Sequence, residues 1–354
     1  MIKNLISACA VILFISSCEK EPEKPTPSTV SSFSNGVFIL NEGAFGAGNS
    51  GITFYSKNEN SLIPDLYQQA NNLPLGDVLQ SMTVVGNSAY LCVNNSQKIE
   101  IVSMRDFKKT GSITGIGSPR FLVASQNKGY VSDWITNSVY KIDLLTQTII
   151  DTIACGSGPE EMLIKGNKLF VCNSGGFGDD SSMSVIDLNT FTIDTVLSVG
   201  VNPSHIREDA NGKVWILCRG SLGSDFTPSP DDAGGRLIQL DPVSLTQEKN
   251  FAFGYNEHPI RLTVTGDKNT LIFLNGETTY TGNVWRMSTN ASSLPASPFI
   301  DRIFYGLGVD PVDGTIYGGK VSFTSNTQVL RYNSNGALLD SLECGIGPNG
   351  FVFN

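Results

Sequence analysis

Histidine, charge and paired cysteines are all scarce in this chain. His205 and His258 are the only two histidines in 354 residues. Neither stands at metal-ligand spacing from a cysteine, which argues against a structural zinc site, and no metal ligand is assigned. The seven cysteines contain no C-x-x-C pair. Setting aside Cys9 and Cys18 near the N-terminus leaves Cys92, Cys155, Cys172, Cys218 and Cys344, an odd number. They fall at repeat-equivalent places, so they read as small packing residues and not as a disulfide framework. Charged residues make up only 16% and the net charge is −9, without the basic surplus that a phosphate backbone demands. Nucleic acid is therefore excluded as a partner. No apolar run beyond the N-terminus is long enough to span a bilayer. A Ser-His-Asp order, a P-loop and a zinc motif are all missing, so no catalytic residue and no resident cofactor are assigned.

Glycine and proline, at 36 and 16 residues, are plentiful, and they punctuate a repeat. The stretch Leu169–Pro203 is one complete unit: a short strand, a Gly-rich loop, a second strand, an Asn-Thr turn, a third strand and a Gly-x-x-Pro corner. Gly129–Pro159 and Ala89–Pro119 repeat it. Corner prolines recur at Pro119, Pro159, Pro203, Pro259 and Pro348. A period of roughly 40–45 residues with four strands per unit predicts an all-β, seven-bladed β-propeller of four-stranded antiparallel blades. Blade one opens at Asn35–Leu40, and blade two has its inner strand at Gln80–Val85. Blades three to seven start near Phe121, Met162, Ile206, Arg261 and Ile303. The apolar tail Gly350–Asn354 is too short for a blade and is expected to close the ring as the inner strand of blade one.

Ahead of the propeller, Lys3, the apolar stretch Leu5–Ile15 and the lipobox-like Ile15-Ser16-Ser17-Cys18 read as a lipoprotein signal peptide. The expected organisation is a signal peptide over 1–17, lipidation of Cys18, a charged and proline-rich tether over 18–34, and the propeller over 35–354.

Loop lengths select a working face. Connections between the first and second strands, and between the third and fourth, are expected to be short, uniform hairpins on one side. Those between the second and third strands vary widely, from Asn94–Gln97 to Arg219–Arg236, and share the other side with the corners. Binding residues concentrate on such loops. The candidate ligand-binding set on that side is Glu42, Phe45, Asn94, Arg120, Asp133, Trp134, Asn173, Phe177, Arg219, Phe226, Asn275, Tyr280 and Phe323. Aromatic plates beside amides and carboxylates, with few basic groups, suit a large, polar and mostly neutral ligand. Asp179-Asp180 lacks alternating calcium-loop spacing and reads as a solvated turn. His205 reads as a structural hydrogen-bonding group.

The aromatic-Val-x-Asn strands, the Ser-Val-Ile-Asp strand and the Val-Gly-x-x-Pro corners resemble YVTN-type propeller repeats over nearly all of the chain after the leader. With the lipobox and the opening Asn41-Glu42-Gly43-Ala44-Phe45-Gly46, the chain resembles the propeller surface lipoproteins of Bacteroidota, some of which capture cobalamin. That resemblance implies a lipid anchor in the outer membrane facing the cell exterior, cobalamin or another corrinoid as transported ligand, and hand-off to a TonB-dependent transporter. Two alternatives stay open. One is a lactonase- or lyase-like enzyme with a metal at the channel mouth, drawing on Glu42, Asp133, Glu160, Glu161 or Glu277. The other is a protein-interaction scaffold using the long Ser221–Gly235 loop.

Overall fold

The computed structural model describes residues 26–27, 33–223, 229–230 and 232–354. Seven sheets, each with four antiparallel strands, surround a central channel, and one of them carries a short extra strand on its outer edge. With strands lettered A to D from the channel outward, blade two runs Leu79–Val85, Ser88–Val93, Lys98–Ser103 and Lys109–Thr114. The inner strands of blades three to seven are Pro119–Ser125, Pro159–Lys165, Pro203–Glu208, Ile260–Val264 and Gly306–Val309. Four of the five corner prolines open an inner strand. There the missing N–H falls at the strand's first residue, where it breaks no ladder.

Blade one is completed from the far end of the chain. Pro348–Phe353 is its innermost strand and pairs antiparallel with Gly36–Asn41, from Val37 opposite Phe353 to Asn41 opposite Pro348. Asn354 and Gly36 then exchange backbone hydrogen bonds in both directions. The expected closure is present and starts two residues earlier than Gly350. On the outer side of the same blade, Thr26–Pro27 pairs in parallel with Ser61 and Leu62, inside the expected tether. Phe33, also within those bounds, packs on Phe38, Phe54 and Phe107.

Two boundaries differ from expectation. Ile303 does not begin blade seven; it lies in Ile300–Phe304, the outer strand of blade six, and the inner strand of blade seven follows at Gly306. No proline marks this corner, and Tyr305 alone separates the two strands. The hairpin side is also less uniform than loop lengths suggested, because the C–D connection of blade six spans 289–299. In addition, a short helix, Leu66–Asn71, fills the outer gap between blades one and two, burying Leu66 and Tyr67 against Phe54 and Phe107.

The core lies between blades. Tyr90, Cys92 and Ile99 of blade two meet Leu122, Val131 and Ile142 of blade three. Phe170 and Cys172 of blade four meet Ile206 and Ile216 of blade five. All five cysteines among the described residues are free. Burial pushes the Cys92, Cys155, Cys218 and Cys344 thiols up to about 12, so they stay protonated and act as small apolar groups.

Candidate functional site at the channel mouth

Six inner strands carry a register shift directly after their first residue. In blade two, Leu79 faces Val93 and Ser81 faces Cys92, which leaves Gln80 as the extra residue. Ser204 and Asn349 are extra in the same way in blades five and one. In blades three, four and six the pairs Arg120-Phe121, Glu160-Glu161 and Arg261-Leu262 oppose single residues. A bulge re-aims a side chain and ends regular pairing. Here the second residue of each bulged strand lines the channel: Gln80, Arg120, Glu160, Ser204 and Arg261 at the mouth, and Asn349 deeper with Gln80 and Arg261. Arg261 holds a left-handed backbone at φ 56, a conformation that a long side chain adopts only where its surroundings impose it.

A second set comes from the residue just past strand B. Glu42, Trp134, Ser174 and Arg219 occupy this position in blades one, three, four and five, and all line the same pit of about 280 Å³ with Tyr280 and Tyr305. The residue immediately before behaves differently. Asn41, Asp133 and Asn173 are almost wholly buried and bond within their own blades. Asn41 reaches Thr53 Oγ1 at 3.1 Å, and Asn173 reaches Ser182 and Ser184 Oγ at 2.9 and 3.0 Å. Asp133 accepts from the Ser118 N–H and from Thr136 N and Oγ1 at 2.9 and 2.7 Å. Alternation along the strand thus separates a loop-holding residue from a pit residue one position later.

The thirteen candidate binding residues divide accordingly. Glu42, Arg120, Trp134, Arg219 and Tyr280 come together around the pit. Phe177 stands at its edge, with its ring centroid 5.7 Å from that of Trp134, and Phe323 packs edge-on to Tyr305 at 5.1 Å. Phe45 is on the same loop as Glu42 and is 83% exposed. Asp133, Asn173 and Asn275 are buried and do not reach the pit. Asn275 donates to Glu257 Oε1 at 2.8 Å. Asn94 is spent on Ser118 Oγ at 2.7 Å. Phe226 lies outside the described residues. Tyr305 and Gln80 belong to the pit although nothing in their local sequence singled them out. The signal for Gln80 was its place in the repeat, equivalent to Arg120 and Glu160.

The pit is strongly polar. Arg120 grips Glu160 with two hydrogen bonds, of 2.9 and 2.7 Å, and its guanidinium stacks 3.8 Å above the Trp134 ring. Tyr305 donates to Glu42, and Arg261 donates from Nε to the Tyr305 carbonyl at 3.2 Å. Burial, then the Glu42 carboxylate, raises the Tyr305 phenol, which stays protonated. Below, Glu161 holds Arg207 through two hydrogen bonds. His205 shares a 2.8 Å hydrogen bond with Ser204, and burial plus Arg261, Arg207 and Arg219 pushes its pKa well below the usual value. It is neutral at physiological pH.

The carboxylates proposed for a metal are already engaged: Glu42 with Tyr305, Glu160 with Arg120, Glu161 with Arg207 and Asp133 with its own loop, while Glu277 is exposed. No three His, Cys, Asp or Glu side chains among the described residues are placed to share a metal ion. Asp179 and Asp180 likewise hold Asn202, Ser221, Ser157 and Ser182. Beside the pit, a wider groove of about 680 Å³ runs past Phe177, Asn202, Arg219 and Leu222.

The model of a family described as a domain of unknown function, DUF5074, matches residues 35–344. The chain belongs to the DUF5074 family. No curated protein matches this DUF5074 chain. Solved structures share its fold. A quinonprotein alcohol dehydrogenase-like protein of Bacteroides thetaiotaomicron aligns with TM-score 0.68 at 15% identity, over 91% of this chain and 78% of its own. A periplasmic gluconolactonase of Pseudomonas aeruginosa aligns with TM-score 0.65 at 11% identity, over 90% and 99%. A Lactobacillus plantarum protein reaches 0.65 at 12%, over 90% and 99%. At these identities the likeness extends to the propeller fold alone.

Proposed function

We propose that this DUF5074 propeller is a non-catalytic capture protein that binds a large, partly apolar ligand across its loop face. The observation that carries this reading is a rim of exposed rings around a polar pit. Phe177 is 85% exposed, Tyr280 52% and Phe323 43%, with Phe45 on the neighbouring loop. Bare aromatic surface at one concave place on a turn-rich protein marks a binding site. A pit of about 280 Å³ is small for a whole drug-sized ligand, and the adjoining 680 Å³ groove is of ordinary size, so the ligand spreads over both. Pit carboxylates tied to Arg120 and Tyr305, with Glu161 below them tied to Arg207, favour holding a ligand over acid–base work.

The finer assignment follows the resemblance set out above. The ligand is cobalamin or a related corrinoid, flat and apolar in part and rimmed by amides. The protein sits on the outer membrane through lipid on Cys18 and passes its cargo to a TonB-dependent transporter. Calorimetric titration of the detergent-solubilised full chain with cyanocobalamin tests it. Stoichiometric binding that weakens in Trp134→Ala and Tyr280→Ala supports the assignment. No heat at micromolar protein removes the corrinoid.

A further inference from the structure

Three guanidiniums and two carboxylates line the pit, which leaves one positive charge in excess within a chain of net charge −9. Their pairing is uneven. Arg120 is fully engaged with Glu160, whereas Arg219 and Arg261 form no ion pair with any described residue. Arg219 donates one hydrogen bond, from Nη2 to the Ser174 carbonyl at 3.3 Å, and its Nε is buried without a partner. Arg261 makes a single hydrogen bond, to the Tyr305 carbonyl, and its guanidinium lies over the Tyr305 ring at 5.3 Å, with no carboxylate of the described residues on it. The indole N–H of Trp134, which can only donate, is also buried without an acceptor. His205, which also lines the pit, is neutral and adds no charge.

Buried donors without acceptors are costly, and uncompensated guanidiniums in a concave, low-dielectric site are more so. One partner answers both: an oxygen group bearing negative charge, which guanidiniums bind through short, charge-assisted hydrogen bonds. We propose that the pit receives one anionic oxygen group of the captured ligand, a carboxylate or a phosphate, held by Arg219 and Arg261 with the Trp134 N–H as a further donor. The mouth is then a divided site, with aromatic rim for the ligand's body and pit for its charge. This deepens the capture reading without depending on the corrinoid assignment.

The test titrates the full chain in detergent with inorganic phosphate and, separately, with acetate, at ionic strength held constant with sodium chloride. Melting temperature and tryptophan fluorescence are followed; only Trp134 of the three tryptophans lines the pit. A saturable rise in melting temperature is expected. The R219Q/R261Q double variant should weaken it by at least about ten-fold, the scale for losing a buried charge partner. Arg105→Gln, on the exposed surface, should leave it unchanged. Should the double variant fail to fold, Trp134→Phe, which removes a donor and keeps the charge, should also weaken phosphate, as read by calorimetry. Response to phosphate alone assigns a phosphate; response to both assigns any anionic oxygen group. Silence of both up to roughly 50 mM, or equal binding by the variants, overturns the proposal. Phosphate binding without cyanocobalamin binding would remove the corrinoid and keep the anion site. The reverse would keep capture and remove it.

Discussion

On the hairpin face, Asp143, Asp187 and Asp241 each turn one carboxylate oxygen onto the two backbone N–H groups that follow, at 2.8–3.1 Å. The other oxygen takes Lys128, Asn167 or Lys213 from the neighbouring turn of the same blade. On the loop face, polar groups reach across blades: Arg120 to Glu160, Glu161 to Arg207, Tyr305 to Glu42. Some reach nothing at all, as with Arg219 Nε and Trp134 Nε1. A satisfied, self-contained hairpin can be copied blade after blade. Cross-blade pairs occur on the hairpin side as well, Lys165 and Lys268 with Glu208 and Lys57 with Asp310; what sets the loop face apart is the pit, where Arg219 and Trp134 keep buried donors without acceptors.

The contrast presupposes a closed ring, and opening the ring should have the largest effect. Truncation after Gly347 removes the inner strand of blade one; loss of a cooperative melt by circular dichroism is expected, and a melt like that of the full chain would contradict closure as described. Next in size, Arg120→Ala leaves Glu160 buried without its cation and strips the stack from Trp134. It should cost about 3 kcal/mol in urea denaturation, the scale for breaking a buried pair. Lys128→Ala, opposite the hairpin Asp143, should cost far less, and equal losses would erase the difference between the faces. Phe177→Ala should leave stability unchanged, because the ring is almost wholly exposed, and should weaken ligand capture by about 1 kcal/mol in calorimetry. The smallest effect belongs to acid. The Lys128 ammonium and the turn amides hold Asp143 at about 2, below its ordinary 3.8. A carboxylate depressed on folding adds stability that is whole above the ordinary value and disappears as pH falls towards 2. Thermal melts of Asp143→Asn should therefore lose part of the acid-dependent decline between about pH 4 and pH 2.

The ring, the closing strand and the side on which the long B–C loops gather could be read from the sequence because each rests on backbone rules that repeat. Pro119, Pro159 and Pro203 mark where strands must begin, and Gly-Asn or Asp-rich turns mark where they must reverse. The corner at Tyr305 carries neither proline nor a turn dipeptide, so nothing in that stretch separates the outer strand of blade six, which holds Ile303, from the inner strand of blade seven. The pit was only partly visible. Trp134, Arg219 and Glu42 stand one residue beyond Asp133, Cys218 and Asn41, and side-chain alternation at that point depends on where strand B meets the corner of its own blade. Asp133 and Asn173 have the composition of binding residues, yet neighbouring turns consume them. The bulges that bring Gln80 and Glu160 to the mouth leave no composition signal, since any residue type can be the extra one.

Clasping the first strand of the ring with the last has a temporal consequence. Phe33 and Asn354, in contact through a hydrogen bond, are separated by 321 positions, so this contact can form only after every other blade has emerged. Until then Gly36–Asn41 presents a bare strand edge able to recruit any extended chain, including a sister copy. Contacts so distant in sequence form slowly. The interval between synthesis and closure is therefore the period in which the protein is most exposed to aggregation and proteolysis, and also the one in which it is still open enough to be threaded.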